Sequence, residues 1–422
     1  MKIAALGISR GPSWASQENS YPKCSERTLS PAVGQIKLTE PPNLTISVFD
    51  NPDDVRIPWT AFQATAHCSL YQSYIWCRAW LDTAGKECGI SPRLVFVNDG
   101  RGHTQIMLPL QLRRVRGCTV LEWLTSPHMN YGGGLYRREF LPHAGTWLTQ
   151  NWPLIVELIG GIDMVRLLDM PDHLQGAGNP FAGLFNIAGA NRSYAMGLEP
   201  GFEDFYQARR SADDRRYARK RETHLGRAGQ IAFGLPSDRQ ALHATIDTMF
   251  QHQESRLAER GVHGVYGPTE RAFIHRIANL QDMNHPVLAP YELKVGGETL
   301  AVMLGGIFGG TYWALVSSLA QGPLRRHSPG DVTLRKTIEA CCRRNLASFD
   351  FSSGQSHYKE SWSDDVMQLH CHISARTWRG LPGALANALT ISIKRHIKTR
   401  PALLAAGTWL RRQLRGKPSE AL

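Results

Sequence analysis

No two cysteines in this sequence are spaced as CxxC, and none stands with histidine at a zinc-ligand interval. The eight cysteines, at 24, 68, 77, 88, 118, 341, 342 and 371, are scattered along 422 residues. A chain of that size does not depend on a disulfide framework, so reduced thiols and no metal site are expected. An apolar run of the roughly 18 residues that a spanning helix needs is also missing. Lys2 and Arg10 flank only the short apolar stretch 3–8, with no small-residue cleavage site, and a soluble cytoplasmic protein is expected. Acid is the scarcer charge: 36 Asp and Glu stand against 48 Lys and Arg, a formal net charge of +12. The excess points to anionic partners: a phosphorylated cofactor, RNA, an acidic glycan or a membrane surface. With 42% hydrophobic and 20% charged residues, disorder over most of the length is excluded.

What is present divides into five segments. Residues 1–42, rich in Ser and Pro without periodicity, read as a disordered leader. Residues 43–200 read as a first α/β domain. A strand at 44–48 precedes a helical region from Trp59, then strand signals follow at 93–97, 105–110 and 119–123. Within 71–81, Tyr74, Cys77 and Leu81 recur at helical spacing and face a core, leaving Tyr71 and Gln72 as the exposed pair. Tyr131-Gly132-Gly133-Gly134 is a loop, either a hinge or a place where backbone approaches a ligand. A helix at 152–159 and a strand at 164–169 close this half.

Residues 201–285 form a basic helical region with Arg209, Arg210, Arg215, Arg216, Arg219, Lys220, Arg221 and Arg227, either a solvated face or an anion-binding one. Asp238 caps a long helix ended by Gly261, and a second helix spans 269–280. Residues 286–378 repeat the first half's logic: strands at 291–295, 299–307 and 311–318, turned by Gly296-Gly297 and Gly309-Gly310, precede a helix and a strand. Residues 379–422 are a basic amphipathic tail.

Chemistry concentrates between Ser328 and Trp362. Ser328-Pro329-Gly330-Asp331 opens a helix carrying Leu334, Ile338, Cys341 and Cys342 on one side, and Cys341–Cys342 contributes to a core. Free amides and the positive dipole end there suit a pyrophosphate, with Arg325 and Arg326 adding charge. In the strand Ser348-Phe349-Asp350-Phe351 the two Phe share a face and Asp350 takes the other, as a hydrogen-bond anchor or as a catalytic base. Gly354 turns a loop that delivers Tyr358 and Lys359, pinned by Trp362. Tyr can protonate a leaving group, and Lys can stabilise an oxyanion.

This order of parts, Ser-Pro-Gly, helix, Phe-Asp-Phe, Gly, Tyr-Lys and Trp, resembles GNAT-superfamily acyltransferases of the BioF2-like or CelD-like type, associated with bacterial polysaccharide biosynthesis. Phe62, the segment Tyr71-Gln72-Ser73-Tyr74-Ile75-Trp76 and Leu108-Pro109-Leu110 are similar to the family's early elements, and the resemblance covers about residues 45–378. It implies tandem GNAT-like α/β domains, each a mostly antiparallel twisted sheet flanked by helices, distantly related to Fem-type transferases. It implies acetyl-CoA or another acyl-CoA as donor and an amino-sugar, peptide-amine or glycan acceptor. The Gly-rich Q/R-x-x-G-x-G/A loop of ordinary GNAT proteins is absent, so Ser328-Pro329-Gly330 stands in its place. Lys359, following Gly354, matches a lysine that lies by the reacting groups in Fem-type relatives. The implied roles are base or orienter for Asp350, acid for Tyr358 and charge stabiliser for Lys359.

Two other readings are kept. The basic inter-domain helices suit an aminoacyl-tRNA-dependent Fem-type transferase, although no sustained heptads mark a coiled-coil arm. A non-catalytic GNAT-like scaffold is the third. In the tail, Leu381, Leu385, Leu389, Ile393 and Ile397 recur every four residues beside Lys394, Arg395, Lys398 and Arg400, with Trp409, Arg411, Arg412 and Arg415 beyond. It either docks on its own domain or lies on an anionic membrane.

Overall fold

The computed structural model describes residues 44–259, 267–398 and 400. The expected leader, the Gly261 helix end and the tail segment with Trp409 lie outside the described residues. The rest is a mixed α/β fold built on one large, mostly antiparallel sheet flanked by helices. Among the described residues no helix is long and apolar enough to cross a membrane.

The sheet begins with the meander Thr45–Phe49, Ser91–Asn98, Thr104–Val115 and Cys118–Trp123, with Met164–Pro171 beside the last. It ends with Ser348–Ser353, Thr311–Leu319, Glu298–Phe308, Tyr291–Val295 and Ile231–Gly234. Gly296 and Gly297, at φ 60° and 89°, and Gly309 and Gly310, at 58° and 75°, supply the left-handed turns of the second meander. Two further strands join the halves. Asp365–Ala375 pairs antiparallel with Met164–Pro171 on one side and with Ile187–Gly197 on the other, and Ile187–Gly197 continues onto Ser348–Ser353. Each half's last strand therefore completes the sheet beside the other half's.

Neither joining strand stands out in the sequence pattern above. Ile187–Gly197 carries Asn191 and Arg192 mid-strand, which hides its alternation. Asp365–Ala375 does alternate, with Met367, Leu369, Cys371 and Ile373 buried, so the signal was there to find. The helix expected at 152–159 is longer, Leu141–Ile159, and accommodates Pro153 in its interior. Asp238 caps Arg239–Ala258 as expected, its carboxylate accepting from Ala241 N–H at 2.8 Å.

Among the described residues, neighbouring strands of the large sheet are antiparallel except at two junctions. Cys118–Trp123 runs parallel to Met164–Pro171 through Val120↔Met164 and Leu121↔Val165. Thr311–Leu319 runs parallel to Ser348–Ser353 through Thr311↔Ser348, Tyr312↔Phe349 and Trp313↔Asp350. Beyond those few pairs the strands part. In the first half the segment at 131–134 fills the gap: Gly132 donates to the Asp169 carbonyl at 3.0 Å, with Trp123 and the Leu168 carbonyl against its Cα. The glycine triplet is thus a close-packed wedge at Gly132.

Candidate active site

In the second half the strands part after Trp313 and Asp350, which end the paired stretch. Alternation sends Phe349 and Phe351 into a core cluster with Tyr312, Ile338, Cys341 and Cys342. Asp350 therefore points to the other face, where it is buried at 3% exposure. Its carboxylate accepts from the Tyr131 hydroxyl through both oxygens, at 2.8 and 2.9 Å, and from Ser352 N–H at 2.6 Å. The last bond requires a kink. Ser352 is left-handed, at φ 61°, and the register with Ile187–Gly197 shifts between Asp350 and Ser352. A serine held there marks a constrained site. Burial pushes the Asp350 carboxyl up to about 7, with the Tyr131 hydroxyl and Ser352 amide pulling the other way.

The side chains that hold this acid come from the first half. Tyr71 and Gln72, expected to be exposed, are buried at 1% and 4%. The reason is local. They lie in the short helix Leu70–Gln72, which Ser69 and Gln72 close as a capping box, and this turns Tyr71 inward. The Tyr71 ring packs edge-on to Trp76, Tyr131 and Trp313. Its hydroxyl lies 3.2 Å from Ser352 Oγ and accepts from Asn130 Nδ2 at 2.7 Å. Gln72 Nε2 donates to the Tyr131 carbonyl at 2.9 Å, and Ser353 Oγ donates to Asn130 Oδ1 at 3.2 Å. Ser352 Oγ reaches across the strand gap to the Ala314 carbonyl at 2.6 Å. Burial first, and then the Asp350 charge, raise the Tyr71 and Tyr131 phenols above their ordinary value, so both remain neutral donors.

Lys359 and Tyr358 arrive not on a loop but on the short helix His357–Trp362, entered through Gly354 at φ 102°. Lys359 Nζ donates to the Ser353 carbonyl at 2.9 Å and to the Ser352 carbonyl at 3.3 Å. Burial lowers its ammonium to about 8, opposed by the Asp350 charge. Tyr358 is exposed, its ring edge towards Phe351. Trp362 holds the helix in place: the Arg210 guanidinium sits 3.9 Å from its ring centroid, and Tyr206 stacks alongside.

The helix Pro329–Arg343 starts near the far end of the same strand, where Gly330 packs against Leu319. From Trp313 to Leu319 is roughly 20 Å of strand. Ser328 is left-handed, at φ 50°, and its carbonyl takes the Asp331 and Val332 amides, which leaves Gly330 N–H at the helix start. Asp331 pairs with Arg221 at 2.7 Å. Arg325 reaches Glu259 and Gln321. Arg326 is exposed and donates to His327, whose ring stacks on His224 at 5.0 Å. The helix Ala212–Ala228 thus supplies Arg221 and His224 to this corner, a contribution that its basic run hinted at without locating.

The expected residues therefore form two groups, one towards each end of Thr311–Leu319: Asp350, Lys359 and Tyr358 at the splay, and Arg325, Arg326, Ser328, Pro329, Gly330 and Asp331 at the helix start. Tyr71, Asn130, Tyr131 and Ser352 belong with the first group and were not picked out as site residues from sequence. Among the described residues no cluster of His, Cys, Asp and Glu is arranged to hold a metal.

Residues 212–360 match the acetyltransferase (GNAT) domain family. The chain is similar in fold to the crystal structure of FemX, at 11% identity over 75% of this chain and 96% of that one, with a TM-score of 0.55. Weaker likenesses are to a conserved protein of unknown function from Bacteroides thetaiotaomicron (11% identity, 77% and 98% covered, TM-score 0.47) and to a tandem GNAT protein from the clavulanic acid biosynthesis pathway (11%, 79% and 99%, 0.41). The fold similarity rests on the first of these. No curated protein matches the sequence.

Proposed function

We propose that this protein is an acyl-CoA-dependent N-acyltransferase acting on an amino-sugar, peptide-amine or glycan acceptor in polysaccharide or cell-envelope biosynthesis. The observation that carries this reading is the parting of Thr311–Leu319 from Ser348–Ser353 after Trp313 and Asp350, with a helix start towards one end and a buried acid and a half-buried lysine at the other. It lies within the segment that matches the GNAT domain. The donor's phosphates would meet Gly330 N–H, Arg325 and Arg326, and its acyl arm would follow the gap towards Ser352.

Transfer then needs little covalent help from the protein. The acceptor amine attacks the thioester carbonyl, and the tetrahedral oxyanion forms beside the Lys359 ammonium. As the intermediate collapses, the carbon–sulfur bond breaks and the Tyr358 phenol protonates the thiolate. The amine's proton passes to solvent or to Asp350, whose value near 7 is suited to general-base work. Burial and three accepted hydrogen bonds fit Asp350 better as the anchor of the kinked strand end than as the base.

The test is thermal shift with acetyl-CoA, longer acyl-CoAs and CoA, followed by thiol release with candidate amino sugars. Stabilisation by acyl-CoA with acceptor-dependent thiol release is expected. One observation favours a second donor: Arg216, Arg219, Lys220 and Arg227 are exposed along Ala212–Ala228, a face suited to a polyanion such as aminoacyl-tRNA. Transfer from labelled aminoacyl-tRNA with no response to acyl-CoA would select a Fem-type reaction. Silence towards both donors would leave a non-catalytic scaffold.

A further inference from the structure

The C-terminal helix Leu381–Lys398 lies across the strands Ile187–Gly197, Asp365–Ala375 and Met164–Pro171. It packs inward through Ala384 and Ile391 onto Val120, Met164 and Ile373, and Asn387 accepts from Arg166 at 3.1 Å. Its other side is unusual. Trp378, Leu381, Leu385, Leu389, Ile393 and Ile397 are all exposed, by 39% to 79%. Isolated apolar residues on a surface need no explanation, but six in one continuous stripe mark a contact surface.

The charge around the stripe says what it contacts. From residue 376 to residue 419 the sequence holds ten Lys and Arg and no Asp or Glu. Lys394 and Arg395 lie along the same helix, with Arg379 before it and Arg400 after it, while Lys398 turns back to Asn191 on Ile187–Gly197. An apolar stripe with cations beside it, and no acid, matches a layer that is apolar inside and anionic at its face. Residues 401–422 suit the stripe less well, since they add Arg411, Arg412, Arg415 and Lys417 to a region already positive.

We infer that this helix docks the protein on an anionic lipid surface. Its apolar stripe enters the headgroup–acyl boundary and its basic side chains meet the headgroups. The inference is independent of which donor the transferase uses.

The experiment is flotation of the full chain with vesicles of phosphatidylcholine alone and of phosphatidylcholine containing phosphatidylglycerol. Binding is expected to the second kind, weakening as salt screens the charges. The variant Leu385→Ser/Leu389→Ser/Ile393→Ser alters only exposed side chains, so its circular dichroism should match the parent while its apparent affinity falls about tenfold or more. Three results would overturn the inference. They are no flotation with either vesicle, equal binding by parent and variant, or loss of a lipid-free dimer by the variant in light scattering.

Discussion

Replacing Asp350 with asparagine separates the anchor from the base and has a calculable effect on stability. The carboxyl is buried and its folded value is about 7, against an ordinary value of 3.8. Because the folded state binds this proton more tightly than the unfolded one, stability is lost as pH rises from about 4 through about 7. At about 1.36 kcal/mol per pH unit, the whole displacement is worth about 4 kcal/mol. The asparagine side chain would keep an oxygen for Tyr131 and for Ser352 N–H but would carry no charge. Urea unfolding of parent and variant at pH 5 and pH 8 measures the difference. The variant's stability relative to the parent should rise by about 2–3 kcal/mol between pH 5 and pH 8. Stability curves that run parallel between these pH values would refute the account of the buried carboxyl. If Asp350 is only an anchor, the variant also retains much of its turnover. A loss of kcat with donor binding intact would assign it the base.

Tyr131→Phe removes a donor to both oxygens of the Asp350 carboxylate. A hydrogen bond to a charged group is worth about 1.5–3 kcal/mol, so any limb of the pH–rate profile set by Asp350 should move up by about one to two pH units. An unmoved limb would show that Tyr131 does not act through this acid. Lys359→Ala should keep the thermal shift with acyl-CoA and lower kcat by about a hundredfold, erasing the limb that its ammonium sets near pH 8. A lost thermal shift would instead place Lys359 in donor binding. Gly132→Ala would put a Cβ 2.3 Å from the Trp123 ring and 2.4 Å from the Leu168 carbonyl, whereas Gly133→Ala meets nothing within 4 Å. The first should destabilise by about 1–3 kcal/mol and the second by less than about 0.5, read as unfolding midpoints. Equal midpoints would deny the wedge.

Local pattern made much of the second half legible. Glycine pairs marked the meander's turns, and a Pro and Gly after Ser328 marked the helix start. Alternation through Phe349, Asp350 and Phe351 placed the acid opposite the two rings, where it is found. The pattern failed where a residue's surroundings are set by a distant part of the chain. Tyr71 and Gln72 looked exposed because they precede the periodic run of their helix, yet a capping box buries both and turns Tyr71 towards Trp313 and Ser352, far away in sequence. The strand Ile187–Gly197 was hidden by its central polar residues, which its position in the middle of the sheet tolerates. The Tyr358–Lys359 segment read as a loop, since six residues are too few to show a helical period.

The amino-acid sequence by itself therefore determined the strands and helices of the two meanders, the alternation that turns Asp350 away from the core rings, and the acid-free basic stretch near the C-terminus. Periodicity, turn chemistry and charge are properties of neighbouring residues. Only the tertiary structure decided that the two halves exchange their last strands, that Gly132 wedges the first strand gap while Ser352 bridges the second to the Ala314 carbonyl, and that Tyr131 of one half holds Asp350 of the other. Those outcomes depend on strand pairing and burial between residues as many as 219 positions apart, which no local pattern encodes.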